Sequence, residues 1–310
     1  MPTALGYPGL RCVLEFLDPM KRIHIAARNH SLWTIDKTIP IWIEELEIYR
    51  EFLKLDKYST EISFDIRFSN RQNAKFHQVL PEQLNQGEAI TKLLNSYLGG
   101  RSKIYVNFLS IYGMYSPVLP PNFIIRINEL GCCFSYINRF LANIDPCSFP
   151  LKKLRTGIDE PDHLNHPILT SAEEVIFTCG ANGIQKLIDQ NNGNKRVTFE
   201  DYRYNSANPV VLIRHWMKNG IEIGATLKLH NNNDNDRLLH ILLQELKEFE
   251  NKRFNSSLNC PRLIIPINRT AEIHVIVSSK NSIVVEVVPK SLKRRGEATE
   301  EPSSSKKAKQ

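Results

Sequence analysis

The stretch Glu88-Ala-Ile-Thr-Lys-Leu-Leu-Asn-Ser-Tyr-Leu-Gly-Gly-Arg-Ser-Lys-Ile-Tyr-Val-Asn-Phe-Leu109 changes its apolar period halfway along. Ile90, Leu93, Leu94 and Tyr97 are spaced as one face of a helix. Gly99-Gly100 ends that helix, and Ile104 to Leu109 then places apolar residues at alternate positions, as a half-buried strand does. A helix followed closely by a strand is the signature of an α/β chain.

The pattern continues downstream. Strands are read at Phe123 to Ile127, Leu151 to Arg155, Glu174 to Thr178, Arg196 to Phe199 and Ala225 to Leu229. Helices are read at Phe134 to Ile144, Ala181 to Gln190, Pro209 to Lys218 and Leu238 to Phe249. Strand centres recur at roughly 20 to 29 residues, the range of leucine-rich-repeat units, in which successive strands stack side by side. Leu151-x-x-Leu154 and Val175-Ile176-Phe177 fit such a unit, whose consensus Asn or Cys is missing here. The fold class expected is α/β: a three-helix N-terminal module, an irregular leucine-rich-repeat-like domain and a disordered basic C-terminal tail. A doubly wound sheet is the alternative.

Upstream, Leu10, Val13, Leu14 and Leu17 make one apolar stripe, ended by Asp18-Pro19, where a second short helix with Ile23, Ala26 and Ala27 begins. Asn29-His30 opens a third with Leu32, Trp33 and Ile35. Helices this short must pack on each other, on the body or on a partner. Residues 41–87 read as a connecting segment with strands at Ile41 to Ile43 and Ile62 to Phe68, and a polar connection from Asn70 to Gln86. Ile273 to Val277 and Ile283 to Val288 form a hairpin around a five-residue loop. The expected domains are 5–40, 41–87, 88–289 and 290–310.

Composition excludes several classes. With 42% hydrophobic and 24% charged residues the chain is of ordinary globular type. Cysteines at 12, 132, 133, 147, 179 and 260 form no C-x-x-C pair and read as reduced thiols. No apolar run approaches a membrane span, and the N-terminus is not built as a secretory signal, so the sequons at Asn29, Asn255 and Asn268 read as chance. Of the net charge of +7, residues 290–310 hold seven Lys or Arg against three Glu. The body is therefore only mildly basic, which argues against a nucleic-acid track on the fold.

Chemistry-bearing motifs are few. Gly180-Ala-Asn-Gly183 reads as a strand-to-helix turn rather than a phosphate cradle. His163-x-x-His166 has donors but no helix to set their spacing, and Glu44-Glu45 and Glu173-Glu174 diverge. No nucleophile elbow appears. The expectation is a chain without cofactor, metal or catalytic residues. In the tail, Lys293-Arg294-Arg295 and Lys306-Lys307-Ala308-Lys309 on a flexible spacer suit two acidic grooves of an import receptor, giving an intracellular chain, nuclear or nuclear and cytoplasmic.

Tyr7-Pro8, Val13-Leu14, Phe16-Leu17, Asp18-Pro19, Arg22-Ile23, Ile25-Ala26 and Leu32-Trp33 resemble a divergent F-box. Together with Lys21-Arg-Ile-His-Ile, Gly99-Gly-Arg-Ser102, Phe149-Pro-Leu-Lys-Lys-Leu154, His166-Pro-Ile168, Trp216-Met-Lys-Asn-Gly-Ile-Glu-Ile-Gly224 and Glu286-Val-Val-Pro289, the chain resembles the nematode F-box C family from residue 5 to 289. That resemblance implies a substrate receptor of an SCF-type ubiquitin ligase. Pro8, Leu10, Val13, Leu14, Leu17, Ile23, Ile25 and Leu32 would then bind a small adaptor that bridges to a cullin scaffold, and the body would hold a protein target. Outward positions of the strands, Lys153, Arg155, Glu174 and Thr198, are the expected target contacts. A nuclear nucleic-acid or chromatin-associated protein and an α/β enzyme are the competing readings.

Overall fold

The computed structural model describes residues 7–62, 65–70, 75–79, 85–112, 119, 123–157, 163, 165–178, 196–200, 209–230, 244–245, 253–255, 262–278 and 282–290. Three short helices come first: α1 (Tyr7–Phe16), α2 (Pro19–Ala26) and α3 (His30–Thr38). Each start has a physical cause. The Asp18 carboxylate accepts from the backbone N–H groups of Met20 and Lys21 and Pro19 sits in the first turn, while the Asn29 side chain accepts from Ser31 and Leu32. Helix α4 (Gln86–Leu98) opens on a reciprocal cap in which the Asn85 side chain takes the Glu88 N–H and the Glu88 side chain takes the Asn85 N–H.

Among the described residues, fifteen strands form one sheet. β1 (Ile41–Ile48) pairs in parallel with β6 (Ile104–Ile111), which is followed in chain order by β7 (Ile125–Cys133), β8 (Lys153–Gly157), β9 (Glu174–Phe177), β10 (Arg196–Phe199) and β11 (Thr226–His230), all parallel. Spatial order follows chain order from β6 to β11, without the reversal that a doubly wound sheet has. Antiparallel meanders flank this ladder. β2 (Phe52–Leu55), β3 (Tyr58–Ile62), β4 (Asp65–Asn70) and β5 (Lys75–Val79) extend from β1, and β15 (Ser282–Pro289), β14 (Ala271–Ser278), β13 (Arg262–Pro266) and β12 (Arg253–Asn255) extend from β11.

Several expectations are corrected. Ile62 to Phe68 is not one strand: Ile62 pairs with Ile66, so the chain folds back there, and the alternating pattern suits two antiparallel strands as well as one. The polar connection contains β5. Phe134 to Ile144 is not an α-helix but two 3₁₀ segments, Phe134–Arg139 and Leu141–Asn143, whose buried residues include Phe134 and Ile137. The helices read at 181–190 and 238–249 and the tail lie outside the described residues, apart from Gln244 and Glu245, which are helical; the five-residue hairpin loop is corrected at its ends, because Ser278 and Ser282 pair as strand residues. Helix α5 (Pro167–Ser171), with five residues, is too short to show an apolar period, and α6 (Pro209–Asn219) is the helix expected at Pro209 to Lys218.

One face of the ladder is the core. Ile41, Ile43, Leu46 and Ile48 of β1, Ile104, Val106, Leu109 and Ile111 of β6, and Ile125, Ile127, Leu130 and Cys132 of β7 are buried in one cluster with Ile90, Leu94 and Leu98 of α4. The burial parity shifts once in each strand, between 43 and 46, 106 and 109, and 127 and 130, levels that the strand register aligns. Two residues in succession there avoid burial: Glu44-Glu45, Asn107-Phe108 and Asn128-Glu129. Asp56, at φ 55°, supports the first pair by accepting from the N–H groups of both Glu44 and Glu45, at 2.8 and 3.0 Å.

The N-terminal helices are fastened to this body by a buried charge cluster. Asp36 of α3 lies between Arg22 of α2 and Arg101, its carboxylate accepting from Arg22 Nε and Arg101 Nη2, with all three side chains essentially excluded from solvent. The remaining guanidinium donors reach carbonyls: Arg22 to Pro40, Asp36 and Ile39 at 2.8 to 2.9 Å, and Arg101 to Asp36 and Tyr97 at 3.1 and 3.2 Å. Gly99 and Gly100 aim Arg101 into the cluster. A Cβ on Gly99 would stand 2.4 Å from the Asn95 carbonyl oxygen, and Gly100 has φ +70°.

Candidate binding surfaces

On α1 the apolar stripe divides. Leu14 is buried, at 1% exposure, and Leu10 and Leu17 are half-buried, so these residues pack the helix down. The outer side carries Pro8, Cys12, Val13 and Phe16, with Val13 49% and Phe16 90% exposed. On α2, Ile23 is buried and Ile25 exposed; on α3, Leu32 is half-buried and Trp33 exposed, stacked against His30 and lying under the Lys37 ammonium. Leu14 and Ile23 are thus corrected from surface to interior positions, because they occupy the side of each helix turned to its neighbours. Phe16 is the most exposed apolar residue of this side. It is three residues after Val13 and four after Cys12, so it continues the outer side and not the Leu10, Leu14 and Leu17 side that packs down.

On the sheet, the expected target contacts mostly satisfy one another. The register brings Glu129, Lys153 and Glu174 into one row across β7, β8 and β9. Lys153 Nζ sits 3.7 and 3.8 Å from the two carboxylates. Arg155 Nη2 sits 3.2 Å from Glu200. Thr198 shares a row with Arg155 and Ile176 but is buried, so it is not displayed.

The residues left open on that face lie further along the ladder, on β1, β6 and β7. Trp42, 67% exposed, stacks on Tyr105 with ring centroids 4.0 Å apart and planes 10° from parallel, and Arg126 follows in the same row. Beside them Asn107 Nδ2 donates to Glu44 at 2.7 Å and Asn128 Nδ2 donates to Asn107 at 3.0 Å. The signal for this patch was present in Ile41-Trp42-Ile43 and Ile125-Arg126-Ile127, where a large non-core side chain alternates with buried isoleucines.

The metal and thiol candidates take structural roles. His166 Nδ1 accepts from the Ile168 N–H, and Phe134 packs its ring against both His163 and His166. Burial, with His163 beside it, holds the His166 imidazole below its ordinary pKa. No group of three His, Cys, Asp or Glu side chains among the described residues is placed to hold a metal. Burial, with Cys133 adjacent, pushes the Cys132 thiol up to about 12, which suits packing rather than nucleophilic attack. No helix among the described residues is long and apolar enough to cross a membrane. The import residues Lys293, Arg294, Arg295, Lys306, Lys307 and Lys309 lie outside the described residues.

Residues 85–233 match the family model of a domain of unknown function, DUF3557. The match begins at the Asn85 cap of α4 and ends just past β11, so it takes in the ladder from β6 onward and excludes β1, which completes it. No F-box family model matches α1 to α3. No curated protein and no solved structure matches the chain.

Proposed function

We propose that this chain is a non-catalytic substrate receptor of an SCF-type ubiquitin ligase, with α1 to α3 as a divergent F-box and a leucine-rich-repeat-like body holding the target protein. The observation that carries the reading is the outer side of α1. A helix of ten residues with Phe16 at 90% and Val13 at 49% exposure, held from behind by Leu14, presents an apolar surface that no described residue covers, of the kind a partner helix takes. Pro8 extends that surface, and Ile25 is the exposed apolar residue of α2. The adaptor contacts are therefore Pro8, Val13, Phe16 and Ile25, with Leu10, Leu17 and Leu32 at the margin.

The charge cluster supports the same division of labour. Arg22, Asp36 and Arg101 join the helices to the first parallel strands, so an adaptor on α1 and a target on the body would be held at a fixed separation. Affinity capture of the tagged full chain from cells, read by mass spectrometry, tests the reading. A small F-box-binding adaptor and a cullin are the expected partners; histones and nucleic-acid proteins in their place would favour the chromatin reading.

A further inference from the structure

We propose that the outward face of β1, β6 and β7 is a docking site for an extended acidic peptide segment of the target, in which a carboxylate lies beside an apolar side chain. The inference rests on the body being the target-holding part of the chain, and not on the adaptor reading.

The patch is a grid of neighbouring side chains. Its middle row is Trp42, Tyr105 and Arg126, and its next row is Glu44, Asn107 and Asn128. Lys103 and Ile124 stand on the same side, two residues ahead of Tyr105 and Arg126, and both are exposed. Three strands and three rows cover about 10 by 13 Å, the length of roughly four extended residues.

Charge complementarity selects the occupant. Lys103 and Arg126 have no side-chain partner among the described residues, whereas Lys153, Arg155 and Lys54 on the same sheet are each paired with glutamates. Two open cations beside exposed Trp42 and Ile124 suit a carboxylate next to an apolar side chain, and Trp and Arg are the residue types that dominate binding energy at interfaces. The amide ladder is a source of polar contacts for a peptide backbone at the border. Single-stranded nucleic acid fits less well. Lys103 and Arg126 are two cations rather than a track along which a phosphate backbone could run, and Trp42 and Tyr105 are stacked on each other, which takes one face of each ring from bases; the adjoining Glu44, Glu45, Glu47 and Glu129 are engaged by Asn107, Lys54 and Lys153.

The test uses the purified full chain and three fluorescein-labelled probes, the octapeptides (Glu-Leu)4 and (Lys-Leu)4 and an oligouridine, read by polarisation at physiological salt. The expected result is that (Glu-Leu)4 binds at least about tenfold more tightly than (Lys-Leu)4. Arg126→Glu should erase that preference and Trp42→Ala should weaken (Glu-Leu)4 by about tenfold, while Arg196→Glu, an exposed arginine outside the grid, leaves it unchanged. Both patch residues are exposed, and matching melting curves will verify that the variants fold. Absence of binding, equal binding of the two peptides, insensitivity to Arg126→Glu, or oligouridine binding lost in the same variants would overturn the proposal. Adaptor capture is read separately on α1, so either reading can fail alone.

Discussion

Replacing Asp36 by asparagine strikes the joint between the N-terminal helices and the body. The wild-type carboxylate accepts from two guanidinium groups, and the three side chains are excluded from water. An asparagine there offers one acceptor oxygen and turns its amide donors toward the other arginine, leaving a buried cation facing a donor. Removing one partner from a buried ion cluster costs about 3–5 kcal/mol. For a chain of this size that corresponds to a fall in Tm of roughly 5–15 °C. Thermal unfolding followed by far-UV circular dichroism measures it. The triple variant Arg22→Met, Asp36→Leu, Arg101→Met removes all three charges together and should lose far less, since well-packed apolar replacements of buried ion clusters are often neutral. A melting temperature for Asp36→Asn within about 2 °C of wild type, equivalent to under ~1 kcal/mol, would refute the cluster as the fastening of the two parts.

Three further outcomes are expected. Lys37, held by burial and the nearby Arg101 at a pKa of about 8 against an ordinary 10.5, binds fewer protons folded than unfolded between those values, so wild type should gain stability relative to Lys37→Met as pH rises from 8 to 10.5; parallel denaturant titrations across that window measure the difference. Gly100→Ala, at φ +70°, should cost about 1–2 kcal/mol, and Gly99→Ala should also destabilise because its Cβ meets the Asn95 carbonyl, both seen as a lower denaturation midpoint. Truncation after Pro289 should leave Tm unchanged and move a fluorescent fusion from nucleus to cytoplasm; a truncated fusion still concentrated in the nucleus would place the import signal elsewhere.

Much of the ladder was legible because each parallel strand carries its own apolar run and its own stop. Arg196 to Phe199 and Pro209 onward were read almost to the residue. What escaped were features set by pairing rather than by pattern. The fold-back at Ile62 and Ile66 leaves the alternation intact, and β5, Lys-Phe-His-Gln-Val, is mostly polar and pairs with β4. The 3₁₀ segments after β7 have apolar residues at spacings that an α-helix also permits. For the surfaces, the stripe Leu10, Val13, Leu14 and Leu17 was visible, but which residues face outward depends on where α1 lies against α3, and that placement sends Leu14 in and Phe16 out. Likewise Lys153 was rightly taken as an outward position, yet the glutamates opposite it in register could not be known without the strand pairing. The physical role of Gly99-Gly100-Arg101-Ser102, delivering Arg101 to Asp36 across 65 residues, is a long-range contact with no local signature.

The most direct measurement is reconstitution of the purified full chain with an F-box-binding adaptor, followed by isothermal titration calorimetry. Wild type should form a one-to-one complex, and Val13→Asp with Phe16→Asp should abolish it with Tm unchanged, since both positions are exposed. No heat of binding for wild type, or undiminished affinity in the double variant, would contradict the assignment of α1 as the adaptor-binding surface.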